Sequence, residues 1–450
     1  MIPEAFLHRM RAQLGAEYPA FVQSIEEMPV RALRLNPLKH AEISAIADIQ
    51  TKPLPFSGGG YIFSCEGIGR HPMHHAGAFY VQDPSAISTV SAAAHVLKPG
   101  MRVLDLCAAP GGKSTQLAGM LDGTGMLVSN EISRDRCRIL RQNIERMGVR
   151  NAVVTSMDSS KIAKTFPRFF DFVLVDAPCS GEGMFRKYPE AVREWSEENV
   201  IMCADRQKKI LENAAKTVAG GGHLLYSTCT FSLEENEQVL DWFLSAHPDF
   251  VMLPVAADVA AVTADGISVR GRDFSEARRF YPHVSAGEGQ FLCLMHRQGD
   301  LRESVLFRND LRQLSKEETK AAESFFMDAF GYVPEHLTGL REDIILLSNG
   351  IEGCPVGAFC CGVPVGKAVK GRLVPHHHLF SAYGEKFRRK VDLPADSSWC
   401  AAYLRGEGFV WENGAENGWC AVLIDGISCG GGKIVNGYVK NHYPKGLRTQ

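Results

Sequence analysis

The sequence predicts an α/β protein with a Rossmann-like, doubly wound core, and three observations predict this fold class. Between residues 98 and 230, apolar segments of strand length alternate with segments of helical period, as in parallel sheets joined by crossover helices. The apolar segments are nearly continuous, which indicates strands buried on both faces. A glycine-rich turn, CAAPGGKST at residues 107–115, follows the first predicted strand and opens the first core helix.

The core elements follow one another in order along the chain. The predicted strands are MRVLDLC, GMLVSNE, NAVVTSMD, DFVLVDA and GHLLYST. The predicted helices are GKSTQLAGML, CRILRQNIERMG and residues 190–218. Residues 250–296 add strand-like segments such as GQFLCLM.

Composition changes on both sides of the core, and these changes predict four parts of the chain. The first residues combine an amphipathic helix with loop signals such as LNPLK and PFSGGG. After residue 297 comes a charged helical stretch, LSKEETKAAESFFMDAFG, followed by glycine-rich, strand-like sequence. The predicted parts are residues 1–75, 76–297, 298–380 and 381–450.

The composition also limits the partners and the location. The 450 residues carry a formal net charge of −2, so any nucleic-acid contact must come from local basic patches. No run of 18 apolar residues occurs, so we expect no membrane span. The 13 cysteines show no CxxC spacing, and the consecutive histidines at 74–75 and 376–378 point in different directions. We therefore expect no metal site, and a reducing, cytoplasmic location.

The residues alone leave two interpretations of the glycine-rich turn open. A phosphate-binding P-loop requires GxxxxGK[ST], but Cys107 occupies the position of the first glycine. The segment VLVDA would nevertheless suit the strand that accompanies such loops. A nucleoside cofactor instead requires an acid about 20 residues further on, at the end of the second strand, where Glu131 lies.

Acidic residues end three successive predicted strands: Glu131, Asp158 and Asp176. Three carboxylates suit ribose hydroxyls, an adenine amino group and a cationic sulfonium, whereas they would repel a triphosphate. Each acid taken singly is equally consistent with a helix cap or a turn. Together with the glycine-rich turn, they favour a nucleoside cofactor.

Two cysteines also follow buried strands. Cys179 lies in DAPCSGEG and Cys229 in YSTCTFSLEENE, each among polar residues. Free cysteine is most often a small buried hydrophobe, so packing is the alternative interpretation of both. In a doubly wound sheet the carboxyl ends of neighbouring strands form the ligand site, so we expect both thiols to face that site.

The sequence resembles the RNA cytosine-5 methyltransferases of the Sun/NSUN group, most closely those of the bacterial RsmF type. The resemblance covers nearly the whole chain. It includes RALRLNPLK, HHAGAFYVQDPSA, DLCAAPGGKSTQLA, NEISRDRCRILRQNIERMG, DAPCSGEGMFRK, YSTCTFSLEENE, RRFYPHVSAGEGQFLCLM and VNGYVKNHYPKGLR. The four predicted parts then correspond to an N-terminal RNA-binding extension, a class I methyltransferase core, a C-terminal linking module and a PUA-like RNA-binding domain.

The resemblance implies S-adenosylmethionine as the cofactor. The residues it assigns to cofactor binding are Cys107, Ala108, Ala109, Pro110, Gly111, Gly112, Lys113, Glu131, Asp158 and Asp176. It also implies that Cys229 is the nucleophile, that Cys179 helps to release the product and that Asp176 contacts the target base. Lys113 either neutralises or orients groups near the base, or merely caps the turn.

The chemistry explains why thiols are needed. C5 of cytosine is too weakly nucleophilic to take a methyl group unaided, and a thiolate that adds at C6 makes C5 nucleophilic. Free cysteine is mostly protonated at neutral pH, so the site must favour the thiolate. A base must then remove the C5 proton before the thiol can leave.

The expected partner is structured RNA, namely 16S ribosomal RNA or the small subunit, with transfer RNA as the alternative. Basic residues are local: the helix that contains Arg134, Arg136, Arg138, Arg141, Arg146 and Arg150, and the segments GKAVKGRLVPHHH, KFRRK and KNHYPKGLR. The arginine helix is equally consistent with a solvated outer face. We expect a monomer. The competing functions are a P-loop nucleotide-binding protein and a catalytically silent RNA-binding protein.

Overall fold

The computed structural model describes residues 2–302, 309–351, 353–411 and 416–449. Within the two predicted C-terminal parts, residues 303–308, 352 and 412–415 lie outside the described residues. The described strands form four sheets, and the largest of them contains the predicted core strands. The domain boundaries taken from the sequence remain a prediction.

The N-terminal region builds a small antiparallel sheet of order β2-β3-β1-β4. Its elements are α1 Glu4–Leu14, α2 Tyr18–Glu26, β1 Ala32–Leu35, β2 Thr51–Pro53, β3 Gly60–Phe63, α3 Pro72–His75, β4 Phe79–Gln82 and α4 Pro84–Ser91. Helices α1 and α2 place the buried rings of Phe6 and Phe21 5.0 and 5.3 Å from those of Phe185 and Phe231, centre to centre. The N-terminal helices therefore pack directly against the segments that follow the two cysteines.

The core alternates strands and helices as the sequence predicts. Its elements are β5 Arg102–Asp105, α5 Gly112–Leu121, β6 Met126–Asn130, α6 Arg134–Arg146, β7 Ala152–Thr155, α7 Ser159–Thr165, β8 Phe170–Asp176, α8 Pro189–Glu194, α9 Glu197–Ala215, β9 Val218–Thr228, α10 Glu237–Ala246, β10 Phe250–Leu253, α11 Ala257–Ala260, β11 Ala264–Asp265, β12 Arg278–Phe280 and β13 Gln290–Arg297. Strands β7, β6, β5, β8 and β9 lie side by side in that order and run parallel. The order reverses at β5, so the glycine-rich turn lies at the switch point where such sheets bind ligands. The predicted fold class is confirmed.

Two features of the core differ from the sequence prediction. Residues 190–218 do not form one helix, because Trp195 is extended and Ser196 begins α9 by accepting a hydrogen bond from the backbone N–H of Asn199 (3.0 Å). From Val218 onward the chain is already strand β9. In addition, the sheet is not wholly parallel, since β13 runs antiparallel to β9.

The C-terminal region forms two five-stranded sheets, of order β14-β15-β16-β18-β19 and β20-β22-β23-β24-β21. Its elements are β14 Leu311–Arg312, α12 Lys316–Ala329, β15 Leu337–Leu340, β16 Asp343–Leu346, β17 Cys360–Cys361, β18 Val363–Val369, β19 Arg372–Pro375, α13 His377–Tyr383, β20 Lys390–Leu393, α14 Ser398–Arg405, β21 Phe409–Val410, β22 Gly418–Ile424, β23 Ile427–Val435 and β24 Tyr438–Asn441. Strand β17 belongs to neither of these sheets. It pairs antiparallel with β7 at the edge of the core sheet.

A buried lysine joins the first and last parts of the chain. The ammonium of Lys39 donates hydrogen bonds to the carbonyls of Ala76 (2.5 Å) and Ser428 (2.6 Å), and burial lowers the pKa of Lys39 to about 7. Ser428 belongs to β23, so the last sheet is held against the N-terminal region. Among the described helices, none combines the length and the apolar character needed to cross a bilayer.

Candidate active site

The glycine-rich turn joins β5 to α5 in a conformation that only small residues allow. Gly111 has a φ of +115°, and a Cβ there would lie 3.2 Å from Leu140. A Cβ on Gly112 would lie 3.2 Å from the Gln82 side chain. Helix α6 stabilises the turn, because its Arg136 donates a hydrogen bond to the carbonyl of Ala109 (2.7 Å).

The three acids predicted to bind the cofactor lie in different environments. Glu131 is buried just after β6, accepts a hydrogen bond from the Ser133 N–H (2.9 Å) and pairs with Arg136 (3.3 Å). Asp158 is exposed three residues beyond β7, where it caps α7 by accepting the N–H of Ser160 (2.8 Å). The hydrogen bonds from Ser160 lower the pKa of Asp158.

Asp105 is a buried acid that the sequence reasoning missed. It ends β5 and is fully buried, and burial raises its pKa to about 7. The Ser114 hydroxyl donates to one carboxyl oxygen of Asp105 (2.7 Å), whereas the other is buried without a partner among the described residues. The signal that identified Asp176, an acid at the end of a buried strand, would also have identified Asp105.

Asp176 ends β8 and is held by three side chains. The ammonium of Lys113 lies 2.8 Å from Asp176 Oδ2, while Ser227 and Gln290 donate to Oδ1 from 2.5 and 3.2 Å. Burial by itself would lower the pKa of Lys113, but the Asp176 carboxylate outweighs it and raises that pKa. Lys113 is therefore the counter-ion of Asp176. Gln290 reaches the site from the antiparallel strand β13, and the sequence reasoning did not predict its role.

The two cysteines meet where β8 and β9 end. These strands are parallel neighbours, with Asp176 opposite Ser227, and the sulfur atoms of Cys179 and Cys229 lie 3.1 Å apart. The contact with Cys229, together with burial, raises the pKa of Cys179 well above its usual value. Lys113 also interacts electrostatically with Cys229. The structure thus brings the two thiols and Asp176 together, and it also places Lys113, whose role the sequence left open, beside them.

Close backbone packing joins the two cysteine segments. The N–H of Gly183 donates to the carbonyl of Cys229 (2.9 Å). A Cβ on Gly183 would lie 2.9 Å from that carbonyl oxygen and 2.8 Å from the Cα of Gly289, so no larger residue fits without a shift. The DAPCSGEG and GEGQF segments therefore need their glycines for contact with one another.

The arginine helix α6 is only partly a solvated face. Arg146 donates to the carbonyls of His74 (2.8 Å) and Phe79 (3.2 Å), and Arg150, just after the helix, donates to the carbonyl of Ala382 (2.9 Å). The side chain of Arg146 therefore connects α6 to the N-terminal region, and that of Arg150 connects the core to the C-terminal region. Within the described residues, no cluster of histidine, cysteine and acidic side chains is suited to a metal ion.

Comparisons with known proteins match three separate parts of the chain. Residues 94–296 match the family model for the 16S rRNA methyltransferase RsmB/F. Residues 2–84 match the N-terminal domain of 16S rRNA methyltransferase RsmF, and residues 390–449 match the RsmF PUA domain. The ribosomal RNA small subunit methyltransferase F of Aeromonas salmonicida is 30% identical over 467 residues, covering 99% of this chain and 97% of the relative.

The chain belongs to the RsmF family. The methyltransferase F of Serratia proteamaculans is 33% identical over 312 residues, an alignment that spans 66% of this chain and 63% of that relative. The family resemblance inferred from the sequence motifs is therefore confirmed.

Solved structures support the fold assignment. A methyltransferase homologue from Pyrococcus horikoshii is 27% identical with a TM-score of 0.55, and the match covers 63% of this chain and 91% of that one. NSun6 from Pyrococcus horikoshii, solved with SFG, shares the fold with a TM-score of 0.57 at 20% identity, over 66% of this chain and 99% of that one.

Proposed function

We propose that this protein transfers a methyl group from S-adenosylmethionine to C5 of a cytosine in 16S ribosomal RNA. The observation that carries the proposal is the pair of thiols, 3.1 Å apart, beside the Lys113–Asp176 ion pair at the ends of β8 and β9. A packing role for two cysteines does not require an ion pair beside them. Membership of a family described as 16S rRNA methyltransferases supports the RNA substrate.

Cys229 is assigned the attack. Its sulfur forms a bond to C6 of cytosine, and the electron pair of the C5–C6 double bond shifts so that C5 can take the methyl group. Cys179 stays a thiol because its pKa is raised, so it can donate a hydrogen bond to the Cys229 thiolate. The positive charge of Lys113 also interacts with Cys229.

Asp176 is assigned the recognition of the base. Its carboxyl, held by Ser227 and Gln290, would contact the edge of cytosine that carries N3 and the amino group. After methyl transfer a general base or solvent water takes the C5 proton, the electrons of that C–H bond restore the double bond, and the carbon–sulfur bond breaks with its electron pair returning to the Cys229 sulfur. We assign Cys179 to this release step.

The residues around the glycine-rich turn suit the proposed cofactor. When bound, S-adenosylmethionine supplies the methyl group as an electrophile. Residues 107–113 would approach it through their backbone, and Glu131, Asp158 and Asp176 would offer acceptors for hydroxyl, amino and sulfonium groups. One buried oxygen of Asp105 has no partner among the described residues, so an acceptor remains at this end of the sheet. The acids disfavour the triphosphate of the P-loop alternative.

The basic C-terminal residues are assigned to RNA binding, in agreement with the match of residues 390–449 to the RsmF PUA domain. The target base must leave its stack to reach the thiols, which costs a few kcal/mol and favours unpaired sites. We propose that the protein acts in the cytoplasm.

Mapping of 5-methylcytosine in ribosomal RNA from cells with and without the gene tests this function. The proposal predicts at least one cytosine of 16S RNA that loses its methyl group in the deletion strain and regains it with the wild-type gene, but not with Cys229→Ala. Loss confined to transfer RNA would show that the substrate class is wrong.

A further inference from the structure

Two buried glutamates connect the segments that carry the cysteines. Glu182 follows Cys179 and contacts the residue next to Cys229, whereas Glu235 follows Cys229 and contacts the residue next to Cys179. The four side chains of Glu182, Thr230, Ser180 and Glu235 form a continuous chain of contacts, which we call the clasp. Ser180 and Thr230 directly follow Cys179 and Cys229, so the clasp adjoins both cysteines.

On one side of the clasp, both oxygens of Glu182 face N–H donors. Oε1 accepts the indole N–H of Trp195 (2.9 Å), and Oε2 accepts the backbone N–H of Phe231 (3.0 Å). The hydroxyl of Thr230 also lies 2.9 Å from Oε2. A proton on either oxygen would weaken an existing N–H hydrogen bond, because a protonated carboxyl oxygen is a poorer acceptor than a carboxylate oxygen.

On the other side, the two oxygens of Glu235 differ. Oε2 accepts the backbone N–H of Ser180 and the amide N–H of Gln207, both at 2.9 Å. Oε1 is in hydrogen-bond contact with the Ser180 hydroxyl. A hydroxyl can donate or accept, so Oε1 can carry a proton at no cost in hydrogen bonds.

Counting protons decides how the clasp is bonded. It contains three oxygen–oxygen contacts: Glu182 to Thr230, Thr230 to Ser180 at 2.9 Å, and Ser180 to Glu235. Each contact needs one hydrogen, but the two hydroxyls supply only two. The third must come from a carboxyl group, and only Glu235 Oε1 is free of N–H donors. We propose that Glu235 is a neutral carboxylic acid that donates to Ser180, which donates to Thr230, which donates to Glu182, and that this chain positions Cys179 against Cys229.

The electrostatic surroundings agree with this placement. Burial, to which the charge of Glu182 adds, raises the pKa of Glu235 to about 7. Burial raises the pKa of Glu182 as well, but its N–H partners oppose that effect, so the proton belongs to Glu235. The other ionisable groups that interact with Glu235 are the thiols of Cys179 and Cys203 and the phenol of Tyr226, all of which are neutral at pH 7.

Glu235 is connected to both sequence neighbours of Cys179, Pro178 and Ser180. It binds Ser180 directly, and its partner Gln207 also donates to the carbonyl of Pro178 (3.2 Å). When Glu235 loses its proton, one contact of the clasp loses its hydrogen and two like charges remain in the clasp. Glu235 is thus a positioning residue for the release step, an inference that rests on the proposed function of Cys179.

Infrared difference spectroscopy of the purified, full-length protein tests the proton directly. At pH 6, every variant should show the C=O band of neutral Asp105, whose pKa is also about 7. A second carboxylic-acid band should be present in the wild type and in Glu182→Gln, and should be lost in Glu235→Gln. This measurement needs neither RNA nor cofactor, so it stands even if the proposed reaction is wrong. If the carboxylic-acid absorption of Glu235→Gln were identical to that of the wild type, Glu235 would not be the neutral acid.

A pH series of covalent protein–RNA complexes tests the positioning role. In the wild type, the complex that survives denaturing gels should increase as the pH rises from 6 to 9, because release slows. Glu235→Gln keeps a donor in place of Oε1 and an acceptor in place of Oε2. The part of the increase that comes from slower release should therefore be absent, and only the part that comes from easier thiolate attack should remain. Glu182→Gln is the matched control. Its NH2 group would have to face an N–H donor, which it cannot accept, so the variant should form less complex at every pH. An identical pH dependence in the wild type and Glu235→Gln would overturn the role of Glu235.

Discussion

Removal of the Lys113 charge should destabilise the protein more than removal of the whole Lys113–Asp176 ion pair. The two side chains are only 13% and 28% exposed and their charged atoms are 2.8 Å apart. In Lys113→Met, the Asp176 carboxylate would keep Ser227 and Gln290 as donors but lose its counter-ion. Lys113→Met together with Asp176→Asn removes both charges and keeps the side-chain volumes similar.

The size of the effect follows from the burial of the pair. Breaking a buried pair by removing one partner costs about 3–5 kcal/mol, and the partial exposure of Asp176 places Lys113→Met near the lower limit, at about 3 kcal/mol. With a urea m-value of about 3 kcal/mol per M, the midpoint of unfolding falls by about 1 M. The double variant should lose less than half of this, because no uncompensated charge remains.

Urea unfolding followed by tryptophan fluorescence measures both shifts, with Lys113→Arg as the control that retains the charge. The same preparations should show methylation reduced in both Lys113→Met and the double variant, since the site needs the charged pair. If the single and double variants shifted the midpoint equally, Lys113 would not act as the counter-ion of Asp176.

Three further predictions follow from particular residues. Glu131→Ala should weaken binding of S-adenosylmethionine in calorimetry, because it removes the acceptor proposed for the ribose hydroxyls; unchanged affinity would remove Glu131 from the cofactor site. Lys440→Glu with Lys445→Glu, both exposed in the last region, should weaken RNA binding and lower the slope of log K against log salt by about 2, whereas Lys52→Glu, on the exposed N-terminal strand β2, is the control. Burial raises the pKa of Glu235 from 4.5 to about 7, so its contribution of about 3 kcal/mol is fully present below pH 4.5 and is lost as the pH rises to 7. The stability of the wild type relative to Glu235→Gln should therefore fall across that interval in urea titrations, and a constant difference would contradict the buried-acid assignment.

Much of the fold and part of the site could be predicted, because both depend on local signals. The glycine-rich turn, the continuous apolar strands and the position of Cys179 and Cys229 after strands are visible in the sequence. The carboxyl ends of parallel strands meet at one edge, so residues that follow neighbouring strands converge. This rule placed Asp176 and both thiols together without any knowledge of loop conformation.

The remaining parts depend on contacts between residues far apart in sequence. Gln290 reaches Asp176 only because β13 runs antiparallel to β9, a register that the sequence pattern did not reveal. The break between α8 and α9 lies at Trp195, whose indole donates a hydrogen bond to the buried Glu182. The second acid of the clasp, Glu235, lies in the polar segment FSLEENE, whose sequence pattern is typical of an exposed loop. The pattern of polar residues does not indicate that Glu235 is buried.

Denaturing gels of three cysteine variants, incubated with RNA and S-adenosylmethionine, test the central claim most directly. Cys179→Ala should accumulate a protein–RNA complex that survives denaturation, contains the methylated base and depends on the cofactor. Cys229→Ala and the double variant should form no such complex, because the attacking thiol is absent. A trapped complex in Cys229→Ala, and none in Cys179→Ala, would reverse the two roles, and the absence of a complex in every variant would leave Cys179 without a part in release.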